Sequence, residues 1–133
     1  MRHAIPKWVI GYAILQFALA LLFGIMAYIN PANQFPDIGG NDAAFAIGLY
    51  ANRNLGVSVA LIVALLLRNR NMLIAIFIAR FATDLFDFLL AVFGTGVDDG
   101  GALIGQLIFF AIVLWIPEVL AVRTLWNQEQ TGE

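Results

Sequence analysis

Cysteine is absent from the chain, and histidine occurs once, as His3 in the N-terminal tail. The first absence excludes disulfides, thiolate metal sites and cysteine nucleophiles. The second leaves nothing for a histidine-based triad or a haem ligand. Charge is scarce as well: 12% of the 133 residues are Asp, Glu, Lys or Arg, against about 25% in ordinary soluble domains. No basic patch with interleaved aromatics offers a surface to nucleic acid, so nucleic acid is not an expected partner. There is no internal repeat and no low-complexity segment.

What remains is strongly apolar. Hydrophobic residues make up 62% of the chain, and its mean hydropathy is +0.87. A water-soluble core of this length cannot use so many apolar residues, so residues 1–133 read as one membrane domain. Four apolar runs stand out: Trp8–Ile29, Ala43–Leu67, Met72–Phe93 and Ala102–Val122. Each approaches the ~20 residues a helix needs to cross a ~30 Å hydrocarbon layer. Helix is the required form, because isolated strands leave their backbone unsatisfied in lipid. Asn30-Pro31, the Arg68-Asn69-Arg70-Asn71 turn and the glycine-rich stretch from Gly94 to Gly101 separate the runs. Short connections make neighbouring helices antiparallel. The expectation is an all-α, up-down-up-down four-helix bundle with transmembrane helices at about 8–29, 43–67, 72–93 and 102–122.

The flanking charges give an orientation. Arg2, Lys7, Arg68, Arg70 and Arg123 fall on one side of a four-span chain, while Asp37, Asp42, Asp98 and Asp99 fall on the other. The positive-inside rule then puts both termini in the cytoplasm of a bacterial-type inner membrane. Arg2, His3, Lys7 and the Ala18-Leu19-Ala20 triplet imitate a signal peptide. The apolar run, however, continues to Ile29, beyond the ~7–15 residues of a signal core, so a retained first helix is expected. Trp8, Tyr28 and Trp126 stand where aromatic belts belong. Gly48, Gly56, Ala60 and Gly105 are candidates for close helix contacts, and Asp98 and Asp99 read as solvated loop charges.

Against this background five ionisable residues lie inside the apolar runs: Arg53, Arg80, Asp84, Asp87 and Glu118. Insertion scales put a charge at bilayer depth at roughly 2.5–3.5 kcal/mol, so such residues are rare and mostly functional. A helical rise of about 1.5 Å per residue puts Arg53, Asn52, Asn54, Asp84 and Asp87 in one layer, ~18–22 Å from the cytoplasmic helix ends. Arg80 falls at ~12 Å with Gln16, and Glu118 at ~6 Å. Arg80, Asp84 and Asp87 follow i, i+4, i+7 spacing and share a helical face, with Phe77 as an apolar wall. Asn52 and Asn54 diverge by roughly 200°, so one of them is expected in the pocket. Two arginines facing three carboxyls leave one carboxyl to carry a proton, and a protonated carboxyl beside an ionised one is the material of acid–base catalysis. Arginines beside the acids argue against a metal site. The competing structural reading is that buried Arg–Asp pairs lock helix register, and for Arg80 with Glu118 that reading is the stronger of the two.

Tyr50-Ala51-Asn52-Arg53-Asn54-Leu55-Gly56, the apolar helix that follows, the short arginine-containing turn and a third helix with internal Arg and Asp form a pattern. It resembles the DoxX-like group of small bacterial four-helix membrane proteins over residues 8–122, with Arg53 to Gly56 as its core. The resemblance implies a four-helix membrane fold. Founding members of that group are linked to quinone-dependent sulfur oxidation, and many relatives have no assigned activity. With no cysteine and no cofactor-anchoring histidine, a redox role and a cofactor are not expected here.

The residues therefore point to an intramembrane enzyme doing acid–base chemistry on a lipophilic small molecule drawn from the surrounding lipid. Hydrolysis, isomerisation and cyclisation of an epoxide or isoprenoid all fit. Asp84 and Asp87 would exchange the proton, and Arg53 would orient them. Tyr50, Asn52, Asn54, Arg80 and Glu118 would place substrate or water. One alternative is a lipid or small-molecule binder or proton-coupled carrier, which four helices could form only as a homodimer. Another is an accessory subunit with structural ion pairs.

Overall fold

A computed structural model describes residues 4–30, 41–94, 105 and 108–130, with side chains at 4–30, 47–89, 105, 108–109 and 112–128. Every regular element among the described residues is helical. Helix α1 covers Lys7–Ile29, α2 Asn41–Leu66 and α3 Arg70–Gly94. A π-helical turn at Phe110–Trp115 leads into α4, Ile116–Gln130. The first three agree with the apolar runs to within two residues at either end. The fourth does not stop at Val122 but continues to Gln130. The apolar run ends at Arg123 because polarity returns there. Nothing from Arg123 to Gln130 is Gly or Pro, so the backbone has no reason to leave the helix. The expected start of this span at Ala102, the pair Asp98 and Asp99, and residues 31–40 lie outside the described residues.

The chain divides into two compact units, one of Pro6–Asn69 and one of Arg70–Glu133 with Met1–Ile5. In the first, α1 packs on α2. The buried residues of α1 are Val9, Tyr12, Ala13, Gln16, Ala20, Gly24 and Ala27, a three- and four-residue spacing that defines one stripe. Most are small, which lets backbones approach closely. At Gly24 a Cβ would sit 2.9 Å from Leu55 Cδ2 and 3.3 Å from the carbonyl oxygen of Ala51. Tyr28 Oη donates to Asn52 Oδ1 at 2.5 Å one turn further along. The glycines expected to allow close contact are elsewhere. A Cβ at Gly48, Gly56 or Gly105 would meet nothing within 4 Å. Gly56 and Gly48 are eight residues apart on α2 and share an outer flank, whereas its buried stripe runs through Ala51, Asn54, Ser58, Leu61 and Ala64.

Helix ends follow local chemistry. Asn30 leaves the helix with φ −143°, as a residue before proline is steered to do. After α2 the amide of Asn69 donates to the Ala64 carbonyl at 3.0 Å and that of Arg68 to Leu65 at 3.1 Å. This pair of bonds is a Schellman cap, which satisfies the last carbonyls of the helix. It requires a left-handed residue, and Arg68 takes it with φ 48°.

In the second unit α3 packs on α4, and partners meet in reverse order along the two helices. Ile74 shares a cavity wall with Trp126, Phe77 and Phe81 share one with Glu118 and Val122, and Phe88 meets Trp115. The π turn ends two residues before Pro117. A proline in a regular α-helix lacks its own N–H and drives its ring into the carbonyl four residues back, here that of Val113. The wider π turn makes room for the ring at that carbonyl.

These contacts separate two kinds of glycine by their response. Gly24→Leu should force α1 and α2 apart and lower stability by about 1–3 kcal/mol. Gly56→Ala adds a Cβ in open space and should raise stability by about 0.4–1 kcal/mol through the unfolded chain. Denaturant titration of the purified protein in detergent measures both; a neutral Gly24→Leu would show that the contact is not tight.

Candidate functional site

Each unit carries polar side chains in its interior, and they are satisfied in different ways. In the Pro6–Asn69 unit they are mostly neutral. Gln16 Nε2 donates to Tyr12 Oη at 2.5 Å. Asn54 is buried and its amide donates to the Tyr50 carbonyl at 3.0 Å, while Ser58 Oγ donates to the Asn54 carbonyl at 2.9 Å. Asn52, two residues away, is exposed and bonded to Tyr28, so of the two asparagines only Asn54 enters the interior. The Arg53 guanidinium lies 5.3 Å from the centre of the Tyr50 ring, within cation–π range.

In the Arg70–Glu133 unit the interior is ionic. Arg80 and Asp84 are 7% and 5% exposed. One turn apart on α3, they put Arg80 Nε 3.1 Å from Asp84 Oδ2. The contact is an ion pair rather than an aligned hydrogen bond. Base before acid is the weaker order for an i, i+4 pair on a helix, so helix stability alone does not account for it. Glu118 on α4 is 1% exposed. It occupies the buried stripe Leu114, Glu118, Ala121, Leu125, a position that an apolar side chain would ordinarily fill. Both its carboxyl oxygens are buried with no hydrogen-bond partner among the described residues. Asp84 and Arg80 are the charged groups whose fields act on it.

Glu118 also lines a cavity of about 250 Å³, whose other walls are Phe77, Ile78 and Phe81 on α3 and Val119, Val122 and Arg123 on α4. Phe77, expected as an apolar wall, is one. Above the cavity Trp115 meets Phe81 and Phe88 edge-on, with ring centres 6.0 and 5.6 Å apart. Such pairs hold rings in fixed register. Trp115 has no place in the expectations from sequence, where only its position three residues before Glu118 and its fit to the Phe81–Phe88 spacing could have marked it.

Asp87 is the exception among the expected acids: it is exposed. It shares the Arg80–Asp84 face, as its spacing requires. At its level, however, the cover from Trp115 lies over Phe88, about 100° further round the helix. Being on the same face does not bring the same burial. The other buried acid of this unit is Glu118, on the neighbouring helix, within the electrostatic reach of Asp84 and Arg80.

Burial sets the energetic scale. Removing one member of a buried ion pair costs about 3–5 kcal/mol, because the other charge is stranded. Arg80→Ala strands the Asp84 carboxylate and should destabilise by about that much, while Arg80→Met with Asp84→Leu should recover most of the loss. Unfolding of both variants in detergent decides it; equal losses would mean that the pair contributes shape and not charge. No family model, no curated protein and no solved structure matches this chain, so the DoxX-like resemblance stands on the residues quoted for it.

Proposed function

We propose that the protein is a four-pass membrane protein whose Glu118, set against Arg80 and Asp84, does acid–base chemistry on a lipophilic small molecule. The observation that carries the proposal is Glu118 itself: a buried carboxyl with both oxygens unpartnered among the described residues, lining an apolar cavity. A structural acid would be expected to complete its hydrogen bonds. Two carboxyls share one guanidinium. Arg80 matches the charge of Asp84, and Glu118 is the group left to carry a transferable proton. Phe77, Ile78 and Phe81 keep water from the reacting centre and hold the apolar body of the substrate. Proton transfer by a placed carboxyl contributes about 10²–10⁴-fold to a rate, and epoxide opening, double-bond isomerisation and cyclisation each begin with such a step.

The membrane part of the proposal has its own support. Helices α1 at Lys7–Ile29 and α2 over Ile47–Leu66 are long and apolar enough to cross a bilayer. Large apolar side chains are exposed on every described helix, among them Ile14, Leu22, Val59, Ile78, Phe86 and Ile112. In water such a surface is an aggregation hazard; in lipid it is solvated. On this reading α3 and α4 are the third and fourth spans, with both termini in the cytoplasm of a bacterial-type inner membrane.

Because the chain has no cysteine, single cysteines report sidedness cleanly. Gly40→Cys and Gly96→Cys should react with an impermeant maleimide on intact cells, and Asn69→Cys only after lysis; reaction of Asn69→Cys on intact cells would overturn the orientation. For the chemistry, protein in lipid nanodiscs is incubated with a bacterial lipid extract and the products followed by mass spectrometry. A feature consumed by the wild type should turn over at least ~10²-fold more slowly with Glu118→Gln. Equal turnover by the variant would remove Glu118 from the reaction.

A further inference from the structure

The cavity beside Glu118 says more about its occupant than that it is lipophilic. An apolar cavity of ~150 Å³ accepts benzene, so about 250 Å³ has room for one ring and a short alkyl arm. The aliphatic walls, Ile78, Val119 and Val122, suit any hydrocarbon. The other features are selective. Phe77 and Phe81 present aromatic rings beside a buried carboxyl, and a cation is attracted to ring faces as well as to the acid. Glu118 offers two acceptor oxygens with no donor among the described residues. The cation of this interior, Arg80, already faces Asp84 at 3.1 Å.

Charge counting completes the argument. Arg80 and Asp84 cancel, so once Glu118 gives up the proton assigned to it above, its carboxylate has no matching charge in this interior. A basic ligand that takes up that proton, and so gains a positive charge and N–H donors, supplies what the site lacks, and an anionic ligand would add to the imbalance. Arg123, the other cation of the lining, is exposed and is not among the charges that act on Glu118. A second cavity of about 380 Å³, lined by Asn71, Ile74, Ala75, Ile78 and Trp126, shares Ile78 with the first.

We propose that the substrate is a lipophilic primary or secondary amine that takes the proton of Glu118 onto its nitrogen and is held as the ammonium ion against the carboxylate so formed, with its apolar body between Phe77, Phe81 and Val122. This rests on the reading of the Glu118 cavity as a ligand site given above. The recognition is a charge-assisted hydrogen bond, among the strongest contacts available in an apolar site.

The test uses the full chain in lipid nanodiscs and two probes of one shape, 4-phenylbutylamine and 4-phenylbutan-1-ol, titrated by calorimetry against empty nanodiscs. The amine should bind the wild type about 10- to 100-fold more tightly than the alcohol, and Glu118→Gln should abolish that preference. Phe81→Leu, which leaves the carboxyl in place, should cost the amine about 2- to 5-fold and the alcohol less. Should Glu118→Gln fail to fold, this second variant still decides. If amine and alcohol bind equally well, the amine assignment falls while the ligand site stands. If neither probe binds, both fall together.

Discussion

An acid buried in an apolar interior imposes conditions on everything around it. Taking an ion out of water costs several kcal/mol even after relaxation, against a net stability of about 5–15 kcal/mol for a whole domain. The second unit holds three such groups. Arg80 and Asp84 offset one another at 3.1 Å. Glu118 on the facing helix has no equivalent partner among the described residues, and it occupies a core position of α4. An apolar side chain there would be more stable. On the proposed function, the acid stands there for what its carboxyl does rather than for what it holds together.

The backbone just before Glu118 is irregular. Pro117 disrupts a regular helix, and the π turn over Phe110–Trp115 absorbs it. The wide turn ends with Trp115 against the Phe81 and Phe88 rings. Glu118 follows one turn later, at the level of Phe77 and Phe81. Strain, aromatic anchor and acid thus fall within a few residues of one another. π-helical turns occur often at functional sites because they re-aim the side chains that follow.

How far the sequence reads depends on which coordinate is asked for. Position along a helix is legible: apolar runs located α1, α2 and α3 to within two residues, and a rise of 1.5 Å per residue put Arg80 and Asp84 at adjoining levels. Rotation about the helix is partly legible. The 200° between Asn52 and Asn54 predicted that only one would be buried, and Asn54 is the one. The same reasoning expected Asp87 inside because it shares a face with Asp84, yet it is exposed, since what covers a face depends on the neighbouring helix. Contacts between helices were hardest to read. Gly24 meets Leu55 and Ala51, whereas Gly48, Gly56 and Gly105 face open space, and nothing in local sequence separates them. Glu118 was legible as a buried acid and read both as a structural partner of Arg80 and as a residue placing substrate or water. The cavity beside it is lined by Phe77, Phe81, Val119 and Val122 from two helices, which no single segment encodes.

The two units hold their interior polar groups in different ways. In Pro6–Asn69 the interior polar groups are largely neutral and bonded close by in sequence: Gln16 to Tyr12, Asn54 to Tyr50, Ser58 to Asn54. All three bonds lie within one helix and reach four residues back, so they satisfy buried polar groups without a partner from the neighbouring helix. Arg53 keeps its charge, but its guanidinium lies over Tyr50, an interaction available without a ligand. A site evolved only for packing would resemble this one throughout. The interior of Arg70–Glu133 departs from it in each respect: its groups are charged, its acid comes from a second helix, and space is left beside that acid. That space is open along the exposed Ile78 and Val119, so what it lacks is a partner for Glu118 rather than atoms to fill a sealed void. On the proposed function, a bound molecule that completes the hydrogen bonds of Glu118 removes the cost of burying that acid unpartnered.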